Sequence, residues 1–363
     1  MGIAALLSGC SAGGNGLASG DGSSSNSPSA RGPVLVPVGD APPPLLDTPA
    51  ASTMADFIGD DEVLPADGAV TRVVRRRGLV QRQVTCPGGG TTSVSGTVYI
   101  PSGQLPLYNA MVYVPDADLR PFTPGASCSC EITGDPIATA LTDSKGHFVL
   151  PNVPVGVNIP LVIQVGDWRR ELNIGTVEAC TDNPVADKTL RLPSRQSQGD
   201  IPKIAVATGR LDALECLIRK LGVDESEFTG ERGGGRVTLF AGEGGTARYA
   251  TLNEGEAFPP AQALWNDLES LARYDVVLMS CDGDRDNVEN KSERSFEAMY
   301  DYLNQGGRVF GSHYQGVWLE RGPAPLPALA EFENQADLGD VSAQVVTTFP
   351  KGQALSEWLV NAG

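Results

Sequence analysis

The pattern of apolar residues changes character near residue 200, and this change constrains the chain more than any other feature. Between 91 and 192, short apolar runs alternate with polar residues and are bounded by Gly, Pro, Asn and Asp. Alternation with a period of two over four to eight residues marks strands with one buried face. In 93–100, Val94, Gly96 and Val98 fall on one face, and Ser95, Thr97 and Tyr99 on the other. Further strands are expected at 110–114, 137–142, 147–150, 159–165, 168–174 and 188–192. Short strands at this spacing predict an all-β immunoglobulin-like sandwich over 86–194. Beyond residue 200, Ile204-Ala205-Val206-Ala207-Thr208 is apolar throughout, as a strand covered on both faces requires. Leu214, Leu217, Ile218 and Leu221 then recur at helical spacing, and Gly222 ends the run. Strands at 237–240, 274–281 and 308–313 alternate with helices at 260–272 and 292–304. That alternation predicts an α/β flavodoxin-like, doubly wound parallel sheet over 201–363. Ligands of such sheets sit beyond the carboxyl ends of the strands, which here carry Thr208-Gly209, Ala241-Gly242, Ser280-Cys281-Asp282 and Ser312-His313. A helix at 353–360 comes last, with fewer strands than such a domain usually has, so the unit reads as C-terminally incomplete.

The first 85 residues fit neither pattern. Residues 11–85 are expected to form a disordered tether, since 11–60 are rich in Gly, Ser, Pro and Ala and cannot offset the entropy cost of ordering. Ahead of it, Ile3 to Cys10 reads as the end of a secretion signal, with the basic part that normally precedes it missing. Leu7-Ser8-Gly9-Cys10 resembles a bacterial lipobox, which implies diacylation of Cys10 and cleavage before it. Ser11 in the next position implies retention at the outer membrane of a Gram-negative envelope. The chain is thus read as an envelope lipoprotein held to a membrane by its lipid and facing the periplasm or the exterior. Formal charge is −17, from 44 acidic and 27 basic residues, which argues against nucleic acid as a partner. Arg75-Arg76-Arg77 reads as a solvated charge run.

Seven cysteines suit an oxidising compartment. With Cys10 lipidated, Cys86, Cys128, Cys130 and Cys180 are disulfide candidates in the β-rich segment, with three possible pairings. A zinc site is the rival reading, although Cys128-x-Cys130 lacks the usual two-to-four spacing.

Two resemblances sharpen the domain assignments. Gly96-Thr97-Val98, Gly103 and Leu107-Tyr108-Asn109-Ala110 come first. Thr142-Asp143-Ser144-Lys145-Gly146-His147-Phe148-Val149-Leu150 and Val153-Pro154-Val155-Gly156 come later. Together they resemble the carboxypeptidase regulatory-like family, which implies a transthyretin-like sandwich without catalytic activity. The residues agree: Asp143 to Gly146 turns a hairpin, Phe148 points inward and His147 outward. In the second half, Tyr274-Asp275-Val276-Val277-Leu278 and the run from Leu303 through Gly306-Gly307 to His313 are similar to the class I glutamine amidotransferase-like fold, trehalose-utilisation-type branch. Phe349-Pro350-Lys351-Gly352 is similar to a later segment of that branch. Catalytic relatives carry a nucleophilic Cys on the turn after the fourth strand, where this chain has Ser312 or its neighbour and no Cys.

The candidate chemistry is therefore sparse. Ser312 and His313 are neighbours, and neighbouring side chains on an extended strand point apart, which opposes a Ser–His relay. Cys281 with His313 as base is the other nucleophile; buried Cys281, or Cys281 paired with Cys216, is the structural alternative. Asp282, Asp284, Asp286, Asn290 and Glu293 fall at calcium-loop spacing, although Asn287 stands where such loops carry Gly, and a solvated acidic loop before a helix reads equally well. Three functions are compatible with these residues. The first is a non-catalytic envelope protein binding a glycan, a peptide or another envelope protein, with no cofactor. The second is a hydrolase or amidotransferase-like enzyme using Cys281 or Ser312 with His313. The third is calcium-dependent adhesion.

Overall fold

The structure is a computed structural model and describes residues 34–36, 77–128, 131–283, 290–333 and 342–362. Strand β1 (Val34–Val36) comes first. The β-rich part then holds β2 (Ser93–Tyr99), β3 (Met111–Pro115), β4 (Pro136–Leu141), β5 (His147–Pro151), β6 (Gly156–Val157) and β7 (Pro160–Val165). It continues with β8 (Trp168–Asn173), β9 (Thr176–Val177), β10 (Asp182–Pro184) and β11 (Leu190–Arg191). In one sheet β2 pairs antiparallel with β5 and parallel with β10 and β11. In the other, β4, β3, β7 and β8 pair antiparallel in that order. Val94, Val98, Val112, Phe148, Leu161 and Ile163 pack between them, so this part is a β-sandwich with one core.

Local chemistry explains the hairpin at the start of β5. The Asp143 carboxylate accepts the Lys145 and His147 N–H groups, each at 2.9 Å. Gly146 has φ +72°, and a Cβ there would meet Val98 O at 2.8 Å. His147 is exposed and Phe148 buried, as strand alternation requires.

The sandwich begins earlier than residue 86. Leu79 is buried in its core, and Arg77 forms two hydrogen bonds to the Glu171 carboxylate, at 2.8 and 3.1 Å. A disulfide joins Cys86 to Cys180. Cys128 is a free, exposed thiol, and Cys130 lies outside the described residues, so a second bridge within the candidate set of four is not formed by Cys128.

The second part alternates strands and helices: β12 (Ile204–Ala207), α1 (Leu214–Leu221), β13 (Val237–Phe240), α2 (Gln262–Trp265), α3 (Leu268–Ala272) and β14 (Val276–Met279). After it come α4 (Glu293–Asn304), β15 (Arg308–Gly311), α5 (Val317–Glu320), β16 (Glu331–Glu333) and α6 (Pro350–Ala362). Strands β13, β12, β14 and β15 form a parallel sheet in that order. Residues of β12 alternate between two cores. Ala205 and Ala207 join Trp265, Met299 and Tyr302; Ile204 and Val206 join Leu214, Ile218 and Phe258. The helix expected at 260–272 is broken in two, because Asp267 leaves the helical path and caps α3 by accepting the Ser270 N–H at 3.2 Å. Ser292 and Ser295 form a reciprocal cap at the start of α4.

The two parts are in direct contact. Trp168 packs against the sandwich core and against one core of the parallel sheet. The Ser102 N–H donates to Leu221 O at 2.9 Å, and Gly222, at φ +99°, lies so close that a Cβ would meet Ser102 N at 2.4 Å. Helix α6 rests on the sandwich, where Trp358 Nε1–H donates to Pro106 O at 2.9 Å and Ser144 Oγ–H to Glu357 at 2.8 Å. β1 pairs antiparallel with β16. Among the described residues, no helix is long and apolar enough to cross a membrane.

Candidate functional site

The carboxyl ends of β12, β14 and β15 are drawn together by one carboxylate. After β12 the chain passes through Gly209, where a Cβ would lie 2.4 Å from Cys281 O, and Arg210, whose N–H donates to that oxygen at 2.8 Å. This close approach brings Asp212 to the sheet end. Its carboxylate accepts the Cys281 N–H at 2.8 Å and the Ser312 hydroxyl.

Beyond β15 the backbone turns sharply. Ser312 is still extended, at φ −98° and ψ 147°, whereas His313 has φ +51°. A left-handed conformation costs a non-glycine residue about 1–2 kcal/mol and marks a position held by its surroundings. The turn sends the two side chains apart. Ser312 goes to Asp212, and His313 Nδ1 lies 3.1 Å from Cys281 Sγ. The structure thus brings together Cys281 and His313 and keeps Ser312 from His313.

Cys281 is 1% exposed, and its thiol is free. It is not bonded to Cys216, which is itself in a disulfide. Burial pushes the Cys281 thiol up; the Tyr314 and Gly283 N–H groups oppose the shift, and the Asp212 and Asp282 carboxylates add to it. At neutral pH the group is therefore a thiol rather than a thiolate. The Gly283 N–H donates to Sγ at 3.4 Å, and His313 Nδ1 faces the same sulfur. His313 itself is exposed.

Two residues of the acidic run are engaged by a lysine. Asp282 and Lys291 form an ion pair at 2.6 Å, with side chains 4% and 1% exposed. The Lys291 ammonium also donates to Asn290 Oδ1 at 3.2 Å and lies 5.1 and 5.7 Å from the ring centres of Trp265 and Trp318. Asp282 and Asn290 thus face an ammonium already in place, and Glu293 opens the first turn of α4. Asp284 and Asp286 lie outside the described residues, as do Cys10 and the lipobox. Among the described residues there is no group of three or more His, Cys, Asp or Glu side chains that could hold a metal ion.

Sequence reasoning missed Asp212, Lys291 and Gln315. Asp212 reads as an ordinary helix start, and Lys291 sits in a charged run that looks solvated. Gln315 bridges Ser280 O and Trp318 Nε1, both at 2.8 Å, and no local spacing signals this. A cavity of about 470 Å³ runs beside β15, lined by Met279, Met299, Phe310, His313, Trp318 and Leu326 among others. Its walls are apolar apart from His313 and Gln315.

No family model matches the chain, and no curated protein matches it. Among solved structures, it is similar to a C-terminal interface mutant of a type II cohesin–X-dockerin complex from Acetivibrio cellulolyticus. That match has 16% identity over 36% of this chain and 86% of that one, with a TM-score of 0.21. It is likewise similar to an N-terminal interface mutant of the same complex, with 17% identity over 37% and 85% and a TM-score of 0.20. Scores this low carry nothing about the fold, partner or activity of this chain.

Proposed function

We propose that the chain is a lipid-anchored envelope protein with a non-catalytic binding role, its ligand a glycan, a peptide or another envelope protein. In this reading Cys10 carries the lipid, the residues between it and β1 space the folded part from an outer membrane, and calcium has no part. The sandwich is an immunoglobulin-like module of the carboxypeptidase regulatory-like type. The parallel sheet is a flavodoxin-like, glutamine amidotransferase-like unit without its nucleophile. One observation carries the non-catalytic part: Cys281 is 1% exposed with its thiol pushed up by burial, while Ser312 is bonded to Asp212 and not to His313. Neither side chain has both access to solvent and an adjacent imidazole base, and nucleophilic catalysis needs both.

The test is labelling in cells. A fatty-acid analogue should mark the chain and be lost in Cys10→Ser, while serine- and thiol-directed activity probes leave Ser312 and Cys281 unmarked. Probe labelling that vanishes in Cys281→Ala or Ser312→Ala overturns the non-catalytic reading. A second reading, a thiol-dependent hydrolase, rests on the 3.1 Å contact between Cys281 Sγ and His313 Nδ1 and on the left-handed turn that produces it. The same labelling separates the two.

A further inference from the structure

Strand β15 is an edge. Among the described residues it pairs with β14 alone. The Arg308 and Ser312 N–H groups bond toward β14, to Asp275 O and Met279 O. Backbone direction alternates along a strand, so Val309 and Gly311 turn their N–H and C=O groups to the open side. Val309 and Phe310 point to opposite faces of the sheet, yet both line the 470 Å³ cavity, which therefore wraps the free edge. Phe310 is 53% exposed there. An edge with unpaired backbone and an apolar wall is a template for an added strand.

The same chain carries a segment suited to that place. Residues 343–348, Ala-Gln-Val-Val-Thr-Thr, are uncharged and β-branched from Val345 to Thr348. They form no strand, and their backbone groups make no hydrogen bond with another described segment. Val346 is 62% exposed. Helix α6, directly after the segment, anchors its C-terminal end to the sandwich. Val346 O lies against Gly352, where a Cβ would come within 2.0 Å, and α6 is fixed to the sandwich through Trp358 and Glu357.

We infer that residues 343–348 of one copy add as a strand to the free edge of β15 in a second copy, with Val345 or Val346 entering the cavity beside Phe310. Reciprocal exchange closes a two-fold dimer. So short a seam places the dimer among weak assemblies, with dissociation on the order of tens of micromolar.

Sedimentation velocity of the full chain carrying Cys10→Ser, from low micromolar to several hundred micromolar, tests this. A concentration-dependent dimer is the expected result. Val346→Asp and Phe310→Lys, both at exposed positions, should each weaken it at least tenfold. Mixed together, the two variants retain one intact seam, supplied by the segment of the Phe310→Lys copy and the edge of the Val346→Asp copy. The mixture should dimerise more than either variant alone. A synthetic peptide of residues 342–349 should compete with the wild-type dimer. A monomer throughout, a dimer indifferent to both substitutions, or a mixture no better than its components would overturn the inference.

Discussion

Replacing Lys291 with Met should be among the most damaging single changes in the parallel-sheet part. The ammonium is 1% exposed, 2.6 Å from Asp282, and flanked by Trp265 and Trp318. Met is close to Lys in volume and fills the space, so packing is nearly conserved. The Asp282 carboxylate is left 4% exposed and without its counter-charge. Removing one partner of a buried pair costs about 3–5 kcal/mol, mostly the burden of the charge left behind. The double variant Asp282→Asn/Lys291→Met removes that charge and should recover most of the loss, since a buried pair replaced as a whole is often near neutral. Urea unfolding followed by tryptophan fluorescence reads the effect locally, because Trp265 and Trp318 adjoin the ammonium. A single variant costing under about 1 kcal/mol, the range of a surface pair, would refute the reasoning, as would a double variant whose loss is the sum of the singles.

Other expectations rest on the same logic. Glu215 is buried, one carboxylate oxygen accepts the Tyr249 hydroxyl at 2.7 Å, and the other has no hydrogen-bond partner among the described residues. Burial raises its pKa above the ordinary carboxyl value, so its burden is absent in acid and grows as pH rises from the unfolded-state value to the folded-state one. Glu215→Gln should therefore be more stable than wild type at pH 7.5, by about 1 kcal/mol, with the gain gone near pH 4; a gain in thermal melting independent of pH contradicts this. Breaking Cys86–Cys180, which spans 94 residues, should cost about 4.7 kcal/mol in the chain-entropy picture, measured as the loss of sandwich stability in Cys86→Ser/Cys180→Ser. Gly146→Ala puts a methyl group 2.8 Å from Val98 O at φ +72° and should cost about 2 kcal/mol by chemical denaturation.

Strands and helices were legible where one periodicity ran without competition. Phe148 between exposed His147 and Val149, and the unbroken apolar run at 204–207, each reflect burial alone. The break at Asp267 was hidden because a helical apolar pattern continues across it. Leu79 lay in a stretch assigned to the tether, yet one buried leucine is enough to bring it into the sandwich. At the site, Cys281 and His313 were legible as residue types at strand ends. Their contact comes with the left-handed turn at His313, next to a Ser312 whose hydroxyl reaches Asp212, a hundred residues earlier. Long-range hydrogen bonds of this kind leave no trace in local spacing. Lys291 shows the converse: a charged residue that local pattern places in solvent is buried because Asp282 and two tryptophans are there to receive it.

The central claim is that the thiol beside His313 is neutral and closed to solvent, and the chain supplies its own control. Cys128 is a free, exposed thiol, whereas Cys281 is free and buried. Iodoacetamide alkylation of the native chain, analysed by peptide mass spectrometry between pH 6 and 9, compares them directly. The account predicts alkylation of Cys128 in the native chain, and of Cys281 only after unfolding. Native Cys281 reacting as fast as Cys128, with its rate already at plateau by pH 6–7, would contradict it and make the Cys281–His313 pair a nucleophile.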